Sequence, residues 1–237
     1  MGTPSASQVG IINLALLRIG ASIISAIDEG SANSIKALAV WDYIFQEVLQ
    51  ARDWRFAKTR YKMSQSTEAP LYAYQFAYPL PSDFLRLVKP KESTSKGVNP
   101  VAYPLGYWYN IIDTSGYSRF FNYDPPVYPA GLPYVIEALP DTSVLCLFTD
   151  YDNTEQDLYI NYIRLISDYT LCTPAFINCL ANRLAAELAI SITEDKEKAV
   201  NKMQDYKNSL NSAEAVNESL DYLDDEAGGQ EWENAGR

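Results

Sequence analysis

The stretch TPAFINCLANRLAAELAISITED, residues 173–195, decides the fold because it has the pattern of a long apolar helix late in the chain. Thr173 can cap this helix, and Pro174 fits its first turn. Six apolar residues recur at three- and four-residue spacing and form one face. They are Phe176, Ile177, Leu180, Ala181, Leu184 and Leu188. Arg183 and Glu187 lie four residues apart, so they can pair with each other or face another subunit.

Two helices are predicted near the N-terminus. Ser5 and Gln8 have the spacing of a capping box, and apolar residues follow at helical intervals until Gly20. Ser31 can cap a second helix that ends near Arg52. The apolar residues expected on one face of the second helix are Ile35, Leu38, Trp41, Phe45 and Val48.

A fourth helix is predicted after the long apolar one. Its cap is either Ser191, with Glu194 three residues later, or Thr193 itself. The face expected to pack carries Val200, Met203, Tyr206, Leu210 and Ala213. The segment from about Leu223 onward is acidic and too polar to form a core alone.

The middle of the chain has a different composition. Residues 61–169 contain fifteen of the eighteen tyrosines, and eleven of the thirteen prolines lie between positions 70 and 140. Dense proline excludes helices, and tyrosine with β-branched residues favours short strands. The clearest predicted strands are YVIEAL (134–139), SVLCLFT (143–149) and LYINYIRLI (158–166). An antiparallel meander is their simplest arrangement.

The fold predicted from these elements is α+β. Residues 1–60 and 170–222 form one helical bundle, because each amphipathic helix has a face that must leave water. Residues 61–169 form an antiparallel, Tyr/Pro-rich β insert, and residues 223–237 form an acidic C-terminal extension.

Composition excludes several functional classes. The chain has no histidine, which removes the common Ser–His–Asp and Cys–His catalytic arrangements, and we expect no enzyme, cofactor or metal site. The net charge of −11 argues against tight binding of a phosphate backbone. Cys146, Cys172 and Cys179 are expected to be buried thiols and not a disulfide framework. We expect neither a signal peptide nor a membrane span.

The order of several motifs resembles that of a known family. The motifs are INLALLRIGASIIS (12–25), RDWRFAKTR (52–60), YAYQFAYPLPSDFLRLV (72–88), YINYIRLISD (159–168) and PAFINCLANRLAAELAISIT (174–193). Together they resemble the head-to-tail adaptor proteins of short-tailed phages, the tail tubular protein A family.

This resemblance implies a structural virion protein with no chemistry of its own. Such adaptors form a dodecameric ring in the neck of the virion, between the portal protein and a tail nozzle similar to tubular protein B. DNA passes through the lumen of the ring without specific binding. In this family the helical domain forms the ring wall, the β domain faces the distal tail, and the C-terminal extension reaches the portal. Assembly in the host cytoplasm is expected.

The implied function suggests candidate contact residues. The portal-contact candidates are Tyr222, Leu223 and Trp232, the subunit-interface candidates are Arg183, Glu187 and Trp54, and the tail-side candidates are Tyr107, Trp108 and Tyr109. Two of these sets have open alternatives. Trp54, with Phe56, can instead be core packing, and the tyrosine-rich loop can pack within the insert or stack on sugar.

The rival function is a tail-associated carbohydrate-binding or glycan-hydrolysing module. Its acids would be Glu137, Asp141 and Asp150. The run DYDNTE (150–155) resembles the acidic part of a calcium loop but lacks the central glycine, so a solvated hairpin loop is the competing interpretation. A third hypothesis is an oligomeric scaffold unrelated to phage.

Overall fold

The computed structural model describes residues 7–88, 133–139, 142–154 and 157–219, the last six of them as backbone only. It has a mixed α+β fold with α-helices and two small antiparallel sheets, which confirms the predicted class. The helices are α1 (Gln8–Ile19), α2 (Ala32–Ala51), α3 (Pro174–Leu188) and α4 (Lys196–Ser219). The strands are β1 (Lys58–Lys62), β2 (Phe76–Pro79), β3 (Phe84–Leu87), β4 (Tyr134–Ala138), β5 (Leu145–Thr149) and β6 (Tyr159–Arg164).

The chain divides into two compact units. The first contains the residues up to Ala57 and those from Ile166 onward, and it holds all four helices. The second runs from Lys58 to Leu165 and holds all six strands. We call them the helical unit and the β unit.

The caps of the first two helices follow local chemistry. The Ser7 hydroxyl accepts from the Gly10 amide at 3.1 Å, so α1 is capped two residues later than the predicted capping box. Gly20 ends α1 with a φ of +77°, which is the left-handed conformation expected of a glycine C-cap. Ser31 caps α2 as predicted, accepting from the Ser34 amide.

The connection between α1 and α2 is held by Glu29. Its carboxylate accepts from the Ser25 hydroxyl at 2.6 Å, from the Ser25 amide at 2.7 Å, and from the Ser31 hydroxyl. These hydrogen bonds, that of the Ser25 hydroxyl first, stabilise the charged form and lower the pKa of Glu29 to about 2.

We expect Glu29→Gln to remove part of the acid sensitivity of the helical unit. A carboxyl group with a depressed folded-state pKa stabilises the fold above its unfolded pKa, and this contribution is lost as the pH falls through the folded pKa. For Glu29 the window runs from the ordinary value of 4.5 down to about 2. The thermal midpoint, followed by circular dichroism, should fall more steeply with decreasing pH in the wild type than in the variant. Parallel curves would contradict this.

Helix α3 is the central element of the helical unit. Its side chains are buried on several sides, and it contacts α1, α2 and α4. Among the described residues, Pro174–Thr193 is long and apolar enough to cross a membrane, but more than half of that segment is buried inside the protein. That burial is the pattern of a core helix.

The end of α3 differs from the prediction. The α-helix stops at Leu188 and continues as a π-helical turn, Ala189–Thr193. The Ser191 hydroxyl donates to the Leu188 carbonyl and the Thr193 hydroxyl donates to the Ala189 carbonyl, so neither residue caps α4. Asp195 takes that role, because its carboxylate accepts from the Lys198 amide at 2.9 Å.

The sheets also correct the predicted meander. One sheet has the order β1-β6-β3 and the other β2-β5-β4, and every pairing is antiparallel. Strands β4 and β5 form a hairpin, but β6 leaves them and joins the other sheet. The inward residues of both sheets share one core: Met63, Tyr78, Leu80, Leu147, Leu158, Ile160 and Tyr162. Alternation along β6 marks a strand with a buried face, but it does not specify a partner.

Two buried tyrosines tie this core to loops. The Tyr78 hydroxyl donates to the Tyr151 carbonyl at 2.6 Å, and burial raises the pKa of Tyr78 to about 12. The Tyr162 hydroxyl donates to the Asp83 carboxylate at 2.8 Å, and burial together with that carboxylate raises the pKa of Tyr162. Both hydroxyls are thereby satisfied inside an apolar cluster.

Candidate interaction surfaces

The helical unit exposes a group of large apolar side chains, which we call the apolar end. Each is between 50% and 68% exposed. The members are Leu17, Ile23, Ile35, Leu38, Ile190 and Val200. Most of the large apolar side chains that the described helical unit exposes belong to this group.

These residues lie where the helix ends meet. Five of them belong to the last turn of α1, the first two turns of α2, the π-helical turn after α3 and the start of α4, and Ile23 lies in the connection that follows α1. Three hydrogen bonds from side chains to backbone carbonyls join these ends. They run from Lys198 to Ile19 (3.2 Å), from Asn33 to Ser22 (2.9 Å) and from Lys36 to Ser191 (2.5 Å). These hydrogen bonds fix the helix ends that carry the apolar end.

Three members of the apolar end correct the sequence analysis. Ile35 and Leu38 were expected on the packing face of the second helix, and Val200 on that of the fourth. In the structure α2 buries a different stripe: Ser34, Ala37, Trp41, Ile44, Phe45, Val48 and Leu49. Since α2 is apolar on two sides, periodicity alone did not show which side packs inward.

A polar network connects α1, α3 and α4. The Arg18 guanidinium donates to the Asn182 side-chain oxygen at 2.6 Å and to both oxygens of Asn178, at 2.6 and 2.9 Å. The Asn182 amide nitrogen in turn lies 3.4 Å from the Asp205 carbonyl and 3.3 Å from the Ser209 hydroxyl. Burial lowers the pKa of Arg18, and the Asp205 charge opposes that effect. Sequence reasoning missed this network, whose only signal is two asparagines four apart in an apolar helix.

Arg183 makes two ion pairs within its own chain. Its guanidinium lies 3.0 Å from Glu187, one turn along α3, and 3.0 Å from Glu47 of α2. Burial disfavours the charge, but the hydrogen bonds to the two carboxylates outweigh it and raise the pKa of Arg183. The guanidinium thus joins α2 to α3, and Glu47 is a partner that the sequence analysis did not identify.

Trp54 lies inside the helical unit and is 3% exposed. Its indole N–H donates to the Val48 carbonyl at 2.7 Å, and its ring meets Phe176 edge-on at 5.0 Å and lies 6.2 Å from Phe56. Packing of this kind leaves Trp54 no surface to offer a neighbouring subunit, which corrects its choice as an interface candidate.

The remaining contact candidates lie outside the described residues. These are Tyr107, Trp108 and Tyr109 for the tail side, and Tyr222, Leu223 and Trp232 for the portal. The same holds for Asp141 and Glu155 of the rival sites. The three cysteines, in contrast, are described and are free, buried thiols as predicted.

Two of the acids that remain from the rival hypotheses, Asp150 and Asp152, serve the fold. Asp150 accepts from the Gln75 amide at 3.0 Å, and Asp152 accepts from the Thr154 amide at 3.0 Å. Within the described ranges no group of three metal-binding side chains comes together. No family model matches this chain and no curated protein matches it, so its function has to be inferred from its own residues.

Proposed function

We propose that this protein is a structural adaptor in the virion of a short-tailed phage. Copies of the chain form a ring between the portal protein and the tail nozzle and extend the channel for the exiting DNA. Two independent lines support the proposal. One is the order of sequence motifs similar to the tail tubular protein A family, and the other is the surface of the helical unit.

The observation that carries the proposal is the apolar end. Single exposed apolar residues are normal on a monomer, but a group of six around four helix ends is typical of a surface that another protein covers. Complete burial of a fully exposed side chain of this size contributes about 1.5–3 kcal/mol, and each of these partly exposed side chains would contribute part of that amount in a contact. A structural protein that assembles with copies of itself and its neighbours requires such a surface.

The proposed ring wall is a helical bundle of α1, α2, α3 and α4. Central α3 buries its own surface against the other helices, so the outer faces of α1 and α2 remain for contacts between subunits. The Arg18 network and the Arg183 ion pairs hold these helices in place. A rigid wall suits a conduit, since its contacts must be reproduced in every subunit.

The charge of the chain fits a conduit for DNA. The net charge is −11, and residues 214–237 hold eight acids and one base. A chain with a net negative charge repels phosphate within a Debye length of about 8–10 Å at physiological salt. DNA can therefore pass along the lumen without being held.

We expect the double variant Ile35→Asp/Ile190→Asp to fold normally and to lose assembly. Both residues are more than half exposed, so the charges remain in water in the monomer but would enter an apolar contact in the assembly. Native mass spectrometry, with the chain alone and with a co-expressed portal protein, measures the oligomer and the complex. Circular dichroism checks the fold.

Leu171→Asp is the matched control for this test. Leu171 is also an exposed apolar residue of the helical unit, but it precedes α3 and is not part of the apolar end. Its variant should assemble like the wild type. If the double variant forms the same ring and portal complex as the wild type, the apolar end is not the assembly surface.

A further inference from the structure

Each of the four outer strands of the two sheets has one edge without a ladder partner in the described part of the chain, and β1 and β4 are the more exposed of them. There, β1 pairs with β6 alone, and β4 pairs with β5 alone. Both strands are largely exposed, whereas the other two outer strands, β2 and β3, are half-buried or buried. An exposed edge can accept a further strand through main-chain hydrogen bonds.

These two edges carry opposite charges. Strand β1 contains Lys58, Arg60 and Lys62, which alternate and therefore share one face, and it contains no acid. Strand β4 contains Glu137 and no base. Lys62 lies 2.6 Å from Asp157, but Lys58 and Arg60 have no ion-pair partner among the described residues. Each edge therefore has an unused charge that the other could neutralise.

Glu137 lies on the wall of a groove between β4 and residues 70–74. The groove has a cavity volume of about 410 Å³, and none of the described residues that line it is basic. A second carboxylate, Glu68, lies close by. Burial first and the charge of Glu68 second raise the pKa of Cys146, which is the register partner of Glu137 on β5. Among the described residues that line the groove, the charged one is therefore Glu137, on β4.

The rim of this groove is apolar. Leu71 and Tyr72 are 81% and 77% exposed and line the groove opposite β4. Ala73 next to them has a φ of +71°, a left-handed conformation that is unfavourable for a residue with a side chain. An acidic groove with an apolar rim suits lysine and arginine, whose aliphatic stems pack while the charged ends pair.

We propose that β1 of one copy adds to β4 of the next copy as an antiparallel strand, with Arg60 opposite Glu137. In this register Tyr61 lies opposite Ile136 on the other face, and Lys58 lies opposite Leu139 on the groove face. On the groove face, Arg60 would pair with Glu137 and Lys58 would reach the groove. On the other face, Tyr61 would pack against Ile136. The inference rests on the proposed function, because it names a second contact between the subunits of the ring, in addition to the apolar end.

The charges also select the kind of assembly. Pairing β1 with β1 would place basic residues opposite each other, and like charges in cross-strand pairs destabilise a sheet. Pairing β4 with β4 would bring no opposite charge. A contact between two different edges is heterologous, and such contacts generate rings when the rotation closes. The two edges therefore favour a ring over a symmetric dimer.

The test uses charge reversal in the full chain. Arg60→Glu alone and Glu137→Arg alone should each weaken self-association at least about tenfold, measured by sedimentation velocity over a concentration series. An equimolar mixture of the two variants should assemble again, because each β1 then meets a β4 of opposite charge. The double variant carrying both changes should also assemble. Lys207→Glu, the same charge reversal on an exposed face of α4, should leave association unchanged.

Each outcome discriminates between the hypotheses. If the single variants assemble like the wild type, or if folded single variants do not recover on mixing, the strand contact is overturned while the proposed ring stands. If the wild type stays monomeric at all concentrations and also in the presence of portal protein, both proposals are overturned. Should circular dichroism show that a reversal disturbs the fold, Arg60→Gln and Glu137→Gln replace it and should weaken association less strongly.

Discussion

Leu184→Asp is expected to unfold the helical unit. Leu184 lies on the central helix α3 and is fully buried, so its carboxylate replacement would have neither water nor an ionic partner at that position. Removal of a buried leucine side chain alone costs about 2–5 kcal/mol, and burying a charge adds to that cost. This loss is comparable with the whole stability of a typical domain, which is about 5–15 kcal/mol. The far-UV circular dichroism signal at ambient temperature should lose most of its helical component.

Leu17→Asp provides the control for this prediction. It makes the same chemical change on a helix of the same unit, but Leu17 is 63% exposed and belongs to the apolar end. The control should retain the helical signal and a cooperative thermal transition. A Leu184→Asp protein with a wild-type melting curve would show that α3 is not the centre of the helical unit.

The parts of the fold that local chemistry decides were predictable. Ser31 caps the helix that begins at the next residue, and Gly20 takes a left-handed conformation that other residues avoid. The long apolar helix was predicted because its apolar residues repeat over several turns. In each case the determining atoms are within a few residues of one another in the sequence.

The parts that tertiary contacts decide were not predictable in the same way. Strand β1 begins shortly after the end of α2, and its charged sequence does not indicate a strand. It nevertheless pairs with β6, about a hundred residues later. The π-helical turn after α3 uses the hydroxyls of Ser191 and Thr193 internally, although the sequence allows them as caps. Long-range pairing leaves no local pattern that distinguishes one partner from another.

The candidate contact residues show the same division. The spacing of Arg183 and Glu187 allows the ion pair that the structure contains, while Glu47 of α2 is reached only when the helices pack. Trp54 combines a turn position with a large apolar ring, which fits an interface as well as a core. Only its surroundings, Phe56 and Phe176 among them, assign it to the core.

Phe176→Ala is expected to have the second largest effect on stability. Its ring is fully buried at the start of α3 and lies 5.0 Å from Trp54, 5.0 Å from Phe56 and 5.9 Å from Phe45, each in an edge-to-face arrangement. Truncation of a buried phenylalanine costs about 3–5 kcal/mol, and each lost aromatic pair adds about 0.5–1.5 kcal/mol of geometry-dependent attraction. The free energy of unfolding, measured by urea titration, should fall by roughly the first amount or more.

Phe176→Leu separates the two contributions. Leucine fills most of the cavity but has no ring, so this variant should lose mainly the edge-to-face attraction and be destabilised clearly less than Phe176→Ala. Equal losses in the two variants would mean that ring geometry, and not filled volume, governs this site. A loss below about 1 kcal/mol in Phe176→Ala would mean that the aromatic cluster does not join α2 to α3. In that case the partly buried contacts of Arg18 and Arg183 would contribute a larger share of the packing between the helices.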